Sequence, residues 1–304
     1  MRFSLVLATV TRTEQLERLL KSLEAQSYRD FELIVVDQND DDRLAPILGS
    51  FSSSFPILHL RSERGLSRAR NVGLEKVHGE IVAFPDDDCW YPPNLLEAVS
   101  RFFDGSPEWE GLTGRCTDEL GRISMGRFDK KPGQVTYYNL WRRLTSFTIF
   151  LKSDAVAKCC GFDETLGVGA GTPWGAAEEM DFMLRGLERG IRVYYDPNLI
   201  VYHPLTVARY DQSALVRHSS YSKGMGRVLA LHSYPWWYVV WYLMRPLGGA
   251  LIFFAWRPRR ARYHFAAFWG RSLGWLSWRQ RRTGSQLVSG CGTNGRSDRP
   301  IVKQ

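Results

Sequence analysis

Cysteine is scarce in this 304-residue chain, and the five present (Cys89, Cys116, Cys159, Cys160, Cys291) form no C-x-x-C pair. An odd count without paired spacing argues against a zinc site and a disulfide framework, and fits a reducing compartment. A secretory leader is also missing: after Met1 and Arg2 the apolar run at 3–7 is short and lacks a small-residue cleavage site, so the folded region is expected to stay in the cytosol. No internal repeat or low-complexity run occurs, which argues against a solenoid. Acid is nearly absent from the C-terminal end, where residues 257–304 hold eleven Lys or Arg against Asp298 alone, a local balance of +10. The whole chain carries +8, so the other 256 residues sum to −2, and any affinity for polyanions belongs to the tail.

A hydrophobic content of 44% is enough to bury a full core. Apolar runs at 3–10, 31–37, 57–63 and 80–84 read as strands, and the spacing of Leu16, Leu19, Leu20 and Leu23 makes 13–25 a helix, with another at 66–77. Strands that are apolar throughout, alternating with helices, indicate an α/β fold with a mainly parallel sheet covered by helices. Ligands of such sheets sit beyond the carboxyl ends of the strands, where Asp37 and the run Asp86, Asp87, Asp88 fall. Residues 105–150 carry no motif, and 137–149 reads equally as strand or helix. A glycine-rich loop at 161–177 leads into a helix at 178–190, closed by Gly190, and 192–204 is strand ending at His203. That loop is a candidate lid or simply a long turn.

The character changes at Tyr234. Residues 235–256 contain one charge, Arg245, and are followed by the basic cluster 257–262 and a second aromatic stretch, 263–278. The length would span a bilayer, yet Arg245-Pro246 and Gly248-Gly249 interrupt it. Trp and Tyr interleaved with Arg suit a helix pair lying in the membrane interface; a true span and a protein-facing surface are the alternatives. A nucleic-acid binder is disfavoured, because the arginines alternate with long Trp and Phe runs rather than a polar groove. The organisation expected is 1–233 as the α/β part, divided into 1–104 and 105–233, then membrane-associating helices at 234–282 and a flexible tail at 283–304.

Three adjacent carboxylates after a buried strand repel one another unless a cation or water neutralises them. Without sulfur or an imidazole cluster, the site suits Mg²⁺ or Mn²⁺, which take one or two carboxylates and complete their shell with phosphate and water. A solvated acidic turn is the plainer reading. Glu178, Glu179 and Asp181 open the 178–190 helix, where acids complement its dipole by about 0.3–1 kcal/mol each; three in four positions exceed what capping needs. One of them on a rigid helix end could take a proton from a hydroxyl.

Together the segments 5–12, 32–40, 63–74, 81–93, 161–182 and 201–204, in this order and spacing, resemble inverting glycosyltransferases of family 2 with the GT-A fold; the likeness covers about residues 1–205. The resemblance implies a bacterial surface-polysaccharide enzyme at the cytosolic face of the membrane, using a nucleotide-sugar donor, UDP or dTDP ahead of GDP, and a lipid-linked or oligosaccharide acceptor. It places Thr9, Arg12 and Asp37 at the donor's base and ribose, Arg70 and Asn71 beside the nucleotide, Asp86 to Asp88 at the diphosphate and its metal, and His203 in the same metal or diphosphate site. Pro85 stands where the family often has Asp, which shifts the ligand set by one and leaves the division between Asp86 and Asp87 open, with Asp88, or Asp87 next to it, as the direct metal ligand. Glu178-Glu179 occupies the place of the family's E-D pair, whose second residue is the catalytic base, so the resemblance implies Glu179 as the base, ahead of Asp181 and Glu178. A sugar-nucleotide nucleotidyltransferase is the competing enzyme, but 9–15 lacks the glycine-rich triphosphate loop it would need.

Overall fold

The computed structural model describes residues 2–206 and 210–277. These form one eight-stranded sheet in the order β3-β2-β1-β4-β7-β5-β8-β6. The first half is built from β1 (Phe3–Thr9), α1 (Glu14–Glu24), β2 (Phe31–Asp37), α2 (Ala45–Phe51), β3 (Ile57–Arg61), α3 (Leu66–Leu74), β4 (Ile81–Ala83) and α4 (Leu95–Gly105). The second contains β5 (Gly111–Thr117), β6 (Gly133–Gln134), β7 (Ile149–Lys152), α5 (Ser153–Cys159), α6 (Glu178–Glu188) and β8 (Val193–Tyr202). Strands β1 to β4 pair in parallel, as do β5 and β8; β7 runs antiparallel between β4 and β5, and β6 antiparallel on β8. The architecture is therefore a mixed, mostly parallel sheet flanked by helices.

The central strands β1, buried but for the partly covered Ala8, and β2 separate two apolar layers. Leu5, Leu7, Leu33 and Val35 pack on the leucines of α1, while Val6, Ile34 and Val36 face α3 and the α5–α6 side. Gly73 brings α3 onto the sheet: a Cβ there would lie 2.4 Å from the Val6 side chain. One turn earlier on the same helix, Arg70 is thereby held at the carboxyl end of the sheet. The segment 137–149 resolves into two short 3₁₀ turns, Leu140–Arg142 and Ser146–Thr148, followed by β7.

Three long helices follow: α7 (Gln212–Leu231), α8 (Trp236–Phe253) and α9 (Pro258–Leu276). Among the described residues, no helix is long and apolar enough to cross a membrane. Helix α9 crosses α7 at backbone contact, since a Cβ on Gly226 would lie 2.0 Å from the Arg271 carbonyl and one on Gly274 2.0 Å from that of Lys223. No flexible side chain can yield there, so Gly274→Ala is expected to destabilise the fold by about 1–3 kcal/mol, measured by denaturant unfolding. Unchanged stability would mean that the two backbones do not meet at Gly274. Residues 278–282 and the tail 283–304 lie outside the described residues.

Candidate active site

The turn after β1 opens the site. Thr11 adopts a left-handed conformation (φ 66°), which a β-branched residue holds only when its surroundings compel it, at a cost of order 1–3 kcal/mol. Its N–H donates to Asn39 Oδ1 at 2.8 Å, which fixes the turn and aims Arg12 at the acidic run. Arg12 pairs with Asp87 and, at 2.7 Å, with Asp88. Asp87 is buried and also accepts the Thr9 hydroxyl at 2.7 Å; burial raises its pKa against the pull of Arg12.

Asp88 and His203 are 115 positions apart in sequence, yet Asp88 Oδ1 lies 3.5 Å from His203 Nε2. Backbone pairing brings them together: Trp90 and Tyr202 exchange N–H···O bonds of 3.0 and 2.9 Å, and the His203 N–H donates to Thr117. Phe147 stacks on the imidazole with ring centres 5.2 Å apart. Because His203 Nδ1–H donates to the Pro204 carbonyl at 2.7 Å, Nε2 is the atom turned to Asp88. Burial lowers the His203 pKa, but the Asp88 carboxylate outweighs it and leaves the net value raised. Asp88 itself is lowered, since His203 and Arg12 outweigh its burial.

Arg70 is 1% exposed and spans the site. One terminal nitrogen donates to Asp86 at 3.0 Å and the other to Glu178 at 3.2 Å, with the guanidinium over Phe162. Burial, with repulsion from Asp88 and Asp87, pushes Asp86 up to about 6 against the pull of Arg70. Ser146 reaches the same carboxylate at 3.3 Å.

The three acids of α6 divide sharply. Glu178 is tied to Arg70, and Gly167, at φ 99°, makes room for it: a Cβ there would come within 3.1 Å of its carboxylate. Asp181 is fully buried between Arg185 and His232, at 3.0 and 2.9 Å, and Arg185 ties the helix to the carbonyls of Cys159, Cys160 and Gly161. Glu179 is half-buried and takes no bond from another side chain among the described residues. Burial and the adjacent Glu178 charge push it up to about 8. The residue before this helix, Ala177, is again left-handed (φ 73°), a second strained position beside the site.

Asp37 is buried with its carboxylate shared among Asn39, His59 and Arg61. Asn71 turns inward, its amide bonded to Phe162 and Glu164, so it holds the 162–164 segment. Thr9, Arg12, Arg70, Asp86 to Asp88, Glu178, Glu179 and His203 thus gather in one place, while Asp181 and Asn71 support it from behind. Tyr221 on α7 escaped sequence analysis. Burial raises its phenol pKa against the pull of Arg217, and the charges of Glu178, Arg12 and Asp86 reach it. Its only sequence signal is spacing: Arg217, Tyr221 and Gly224 fall on one helical stripe, and a Cβ on Gly224 would lie 2.2 Å from the Ala176 carbonyl. The glycine-rich loop is tethered at both ends, Ser67 donating to Leu166 and Gly175 to Ser220.

Among the described residues, no group of three or more His, Cys, Asp or Glu forms a ready-made metal cage. Mg²⁺ and Mn²⁺ do not require one. Two cis ligands at about 2.1 Å from an octahedral ion stand about 3 Å apart, close to the Asp88–His203 separation, and the backbone-anchored imidazole is the usual support of a ligating histidine. These residues fit a divalent cation.

A mostly parallel sheet with acids and arginines gathered at its carboxyl end has the GT-A architecture of a glycosyltransferase. Solved structures share it: TarS from S. aureus in complex with UDP-GlcNAc superposes with a TM-score of 0.61 at 17% identity over 92% of both chains. The mannosyltransferase PcManGT from Pyrobaculum calidifontis, in complex with GDP-Man and Mn²⁺, gives 0.62 at 14% identity over 90% of this chain and 87% of that one. Residues 4–155 match glycosyl transferase family 2, and the chain belongs to that family. It is 27% identical over 247 residues, 76% of its length and 78% of the relative's, to a glucosyl-dolichyl phosphate glucuronosyltransferase of Haloferax volcanii. Against a dolichol-phosphate mannosyltransferase of Pyrococcus furiosus it is 27% identical over 153 residues, 48% of this chain and 38% of that protein.

Proposed function

We propose that the protein is an inverting, divalent-metal-dependent glycosyltransferase that moves a sugar from a UDP or dTDP donor, in preference to GDP, to a hydroxyl of a lipid-linked or polysaccharide acceptor in surface-polymer assembly. The observation that carries this reading is Arg70, which joins Asp86 on the leaving-group side to Glu178 on the acceptor side, with the uncommitted Glu179 carboxylate within reach of all three charges.

Glu179 takes the proton of the acceptor hydroxyl as that oxygen attacks the anomeric carbon, and the bond from that carbon to the diphosphate breaks on the opposite face. The nucleoside diphosphate leaves with the bonding pair. Arg12 and Arg70 stabilise its growing charge, and Asp37 holds the nucleoside end. When bound, a cation at Asp88 and His203 supplies a Lewis acid for the diphosphate, with Asp87 behind the ligands. Asp181, through Arg185 and His232, fixes the helix from which Glu179 projects. The dolichol-linked chemistry named for two relatives supports a lipid-linked acceptor.

Thermal shift with UDP, dTDP and GDP in the presence of Mn²⁺ tests the donor class: the pyrimidine nucleotides should stabilise the protein most, and a preference for GDP would overturn that part. The proton acceptor predicts the pH profile. Glu179 works only when ionised, and its pKa is raised to about 8. Hence kcat/KM should climb as pH rises through neutrality and level off above about 8. A profile flat from pH 6 to 9 would exclude Glu179.

A further inference from the structure

The helical hairpin α8–α9 is fastened to the catalytic part by one side only. Its inward face on α8 consists of Tyr238, Val239, Tyr242, Pro246 and Ala250, all buried. Tyr238 and Tyr242 meet Tyr234, just before α8, and Tyr138 and Trp141 of the 105–233 part, and Tyr238 donates to the Tyr138 carbonyl at 3.0 Å. Helix α9 sits on α7 through Gly226, Gly270 and Gly274. These contacts satisfy the packing of the hairpin and leave the opposite face of α8 with nothing to cover.

That outward face is apolar. Val240, Trp241, Met244, Leu251 and Ile252 recur at helical spacing on one side, and Phe254 and Trp256 extend it past the helix end. Leu251 and Ile252 are each 70% exposed and Trp256 87%. A face turned to water is ordinarily polar, and a contiguous apolar one of this kind marks a docking surface. Charge identifies the occupant. Residues 234–277 contain six arginines and no carboxylate, and Arg257, Arg259, Arg260 and Arg262 cluster beside Trp256. Tryptophan at the edge of an apolar helix face, bordered by arginine, matches the boundary between acyl chains and anionic headgroups. A protein surface would offer no reason for the complete absence of acids.

We infer that the outward face of α8, with the arginines at the start of α9, is a seat for an anionic lipid bilayer, on which the protein lies without crossing it. The coupling to the site follows from the fold. Helix α9 rests on α7, and Gly224 of α7 rests on Ala176, two positions before Glu178. Seating the hairpin on lipid therefore sets the height of the Glu179 cleft above the bilayer. This last step rests on the transferase reading; lipid binding does not.

The test is co-sedimentation of the full-length protein with vesicles of phosphatidylglycerol and phosphatidylcholine or of phosphatidylcholine alone, alongside Leu251→Glu with Ile252→Glu. Both substituted side chains point outward, and circular dichroism with thermal unfolding verifies that the variant folds. The expected result is binding to the anionic vesicles, at least tenfold weaker binding to the neutral ones, loss with added salt, and loss in the variant. Failure of the wild type to bind anionic vesicles overturns the proposal. So does a dimer, found by analytical ultracentrifugation, that the two glutamates dissociate, because the face would then be occupied by a second copy. Release of nucleoside diphosphate from donor in vesicle-free solution separates the two readings, since it can fail while lipid binding holds, and the reverse.

Discussion

Replacing Glu179 by Gln should lower sugar transfer by about 10²–10⁴-fold, the range ascribed to a positioned general base, while leaving donor affinity within a few-fold of wild type. The amide keeps the size and position of the side chain and removes only its capacity to accept a proton. Neither neighbour can take over. Glu178 is 7% exposed and bonded to Arg70, and Asp181 is fully buried between Arg185 and His232. Initial rates with acceptor, set beside donor binding by calorimetry, separate the two effects. A variant that bound donor and kept full transfer would move the base to one of those neighbours.

Removing Asp88 should be nearly as costly and should act on the other substrate. Asp88→Ala is expected to reduce kcat/KM by more than about 100-fold, since metal stabilisation of a leaving group is worth several kcal/mol. Its signature is the loss of the difference in donor affinity between Mn²⁺ and EDTA. Asp87→Asn provides the contrast. Because Thr9 and Arg12 hold Asp87 behind the site, its loss should cost about 10–100-fold, in the range of residues that orient metal ligands. Equal effects of the two substitutions, or a Mn²⁺ dependence that survives Asp88→Ala, would remove Asp88 from the metal site.

Much of the fold was legible because the buried strands β1 and β2 carry unbroken apolar runs at 5–8 and 33–36 and α1 repeats leucine at helical spacing. The strand β5, with sequence GLTGRCT, was not legible: two glycines and three polar residues hide it, although β7 and β8 bury it on both edges. Helix α7 escaped for a related reason. Its serines and glycines serve close approach to α9 and to Ala176 and leave no apolar stripe. At the site, the residue types and their strand-end positions were visible, but not their partners. The meeting of Asp88 with His203 depends on the pairing of Trp90 with Tyr202, and the separate roles of Asp86, Asp87 and Asp88 on Arg70, Thr9 and His203. Both are long-range contacts that no local pattern encodes. Asn71 lies beside Arg70 in sequence, yet on the helix it points to the 162–164 segment instead of the cleft.

The central claim is a two-sided site in which Asp88 serves the departing diphosphate and Glu179 the acceptor. Its most direct test is nucleoside diphosphate release across a panel of UDP-, dTDP- and GDP-sugars with Mn²⁺, Mg²⁺ or EDTA. Turnover of at least one donor with a divalent cation, abolished by EDTA, is the predicted result; no binding or turnover of any donor with either metal would contradict it.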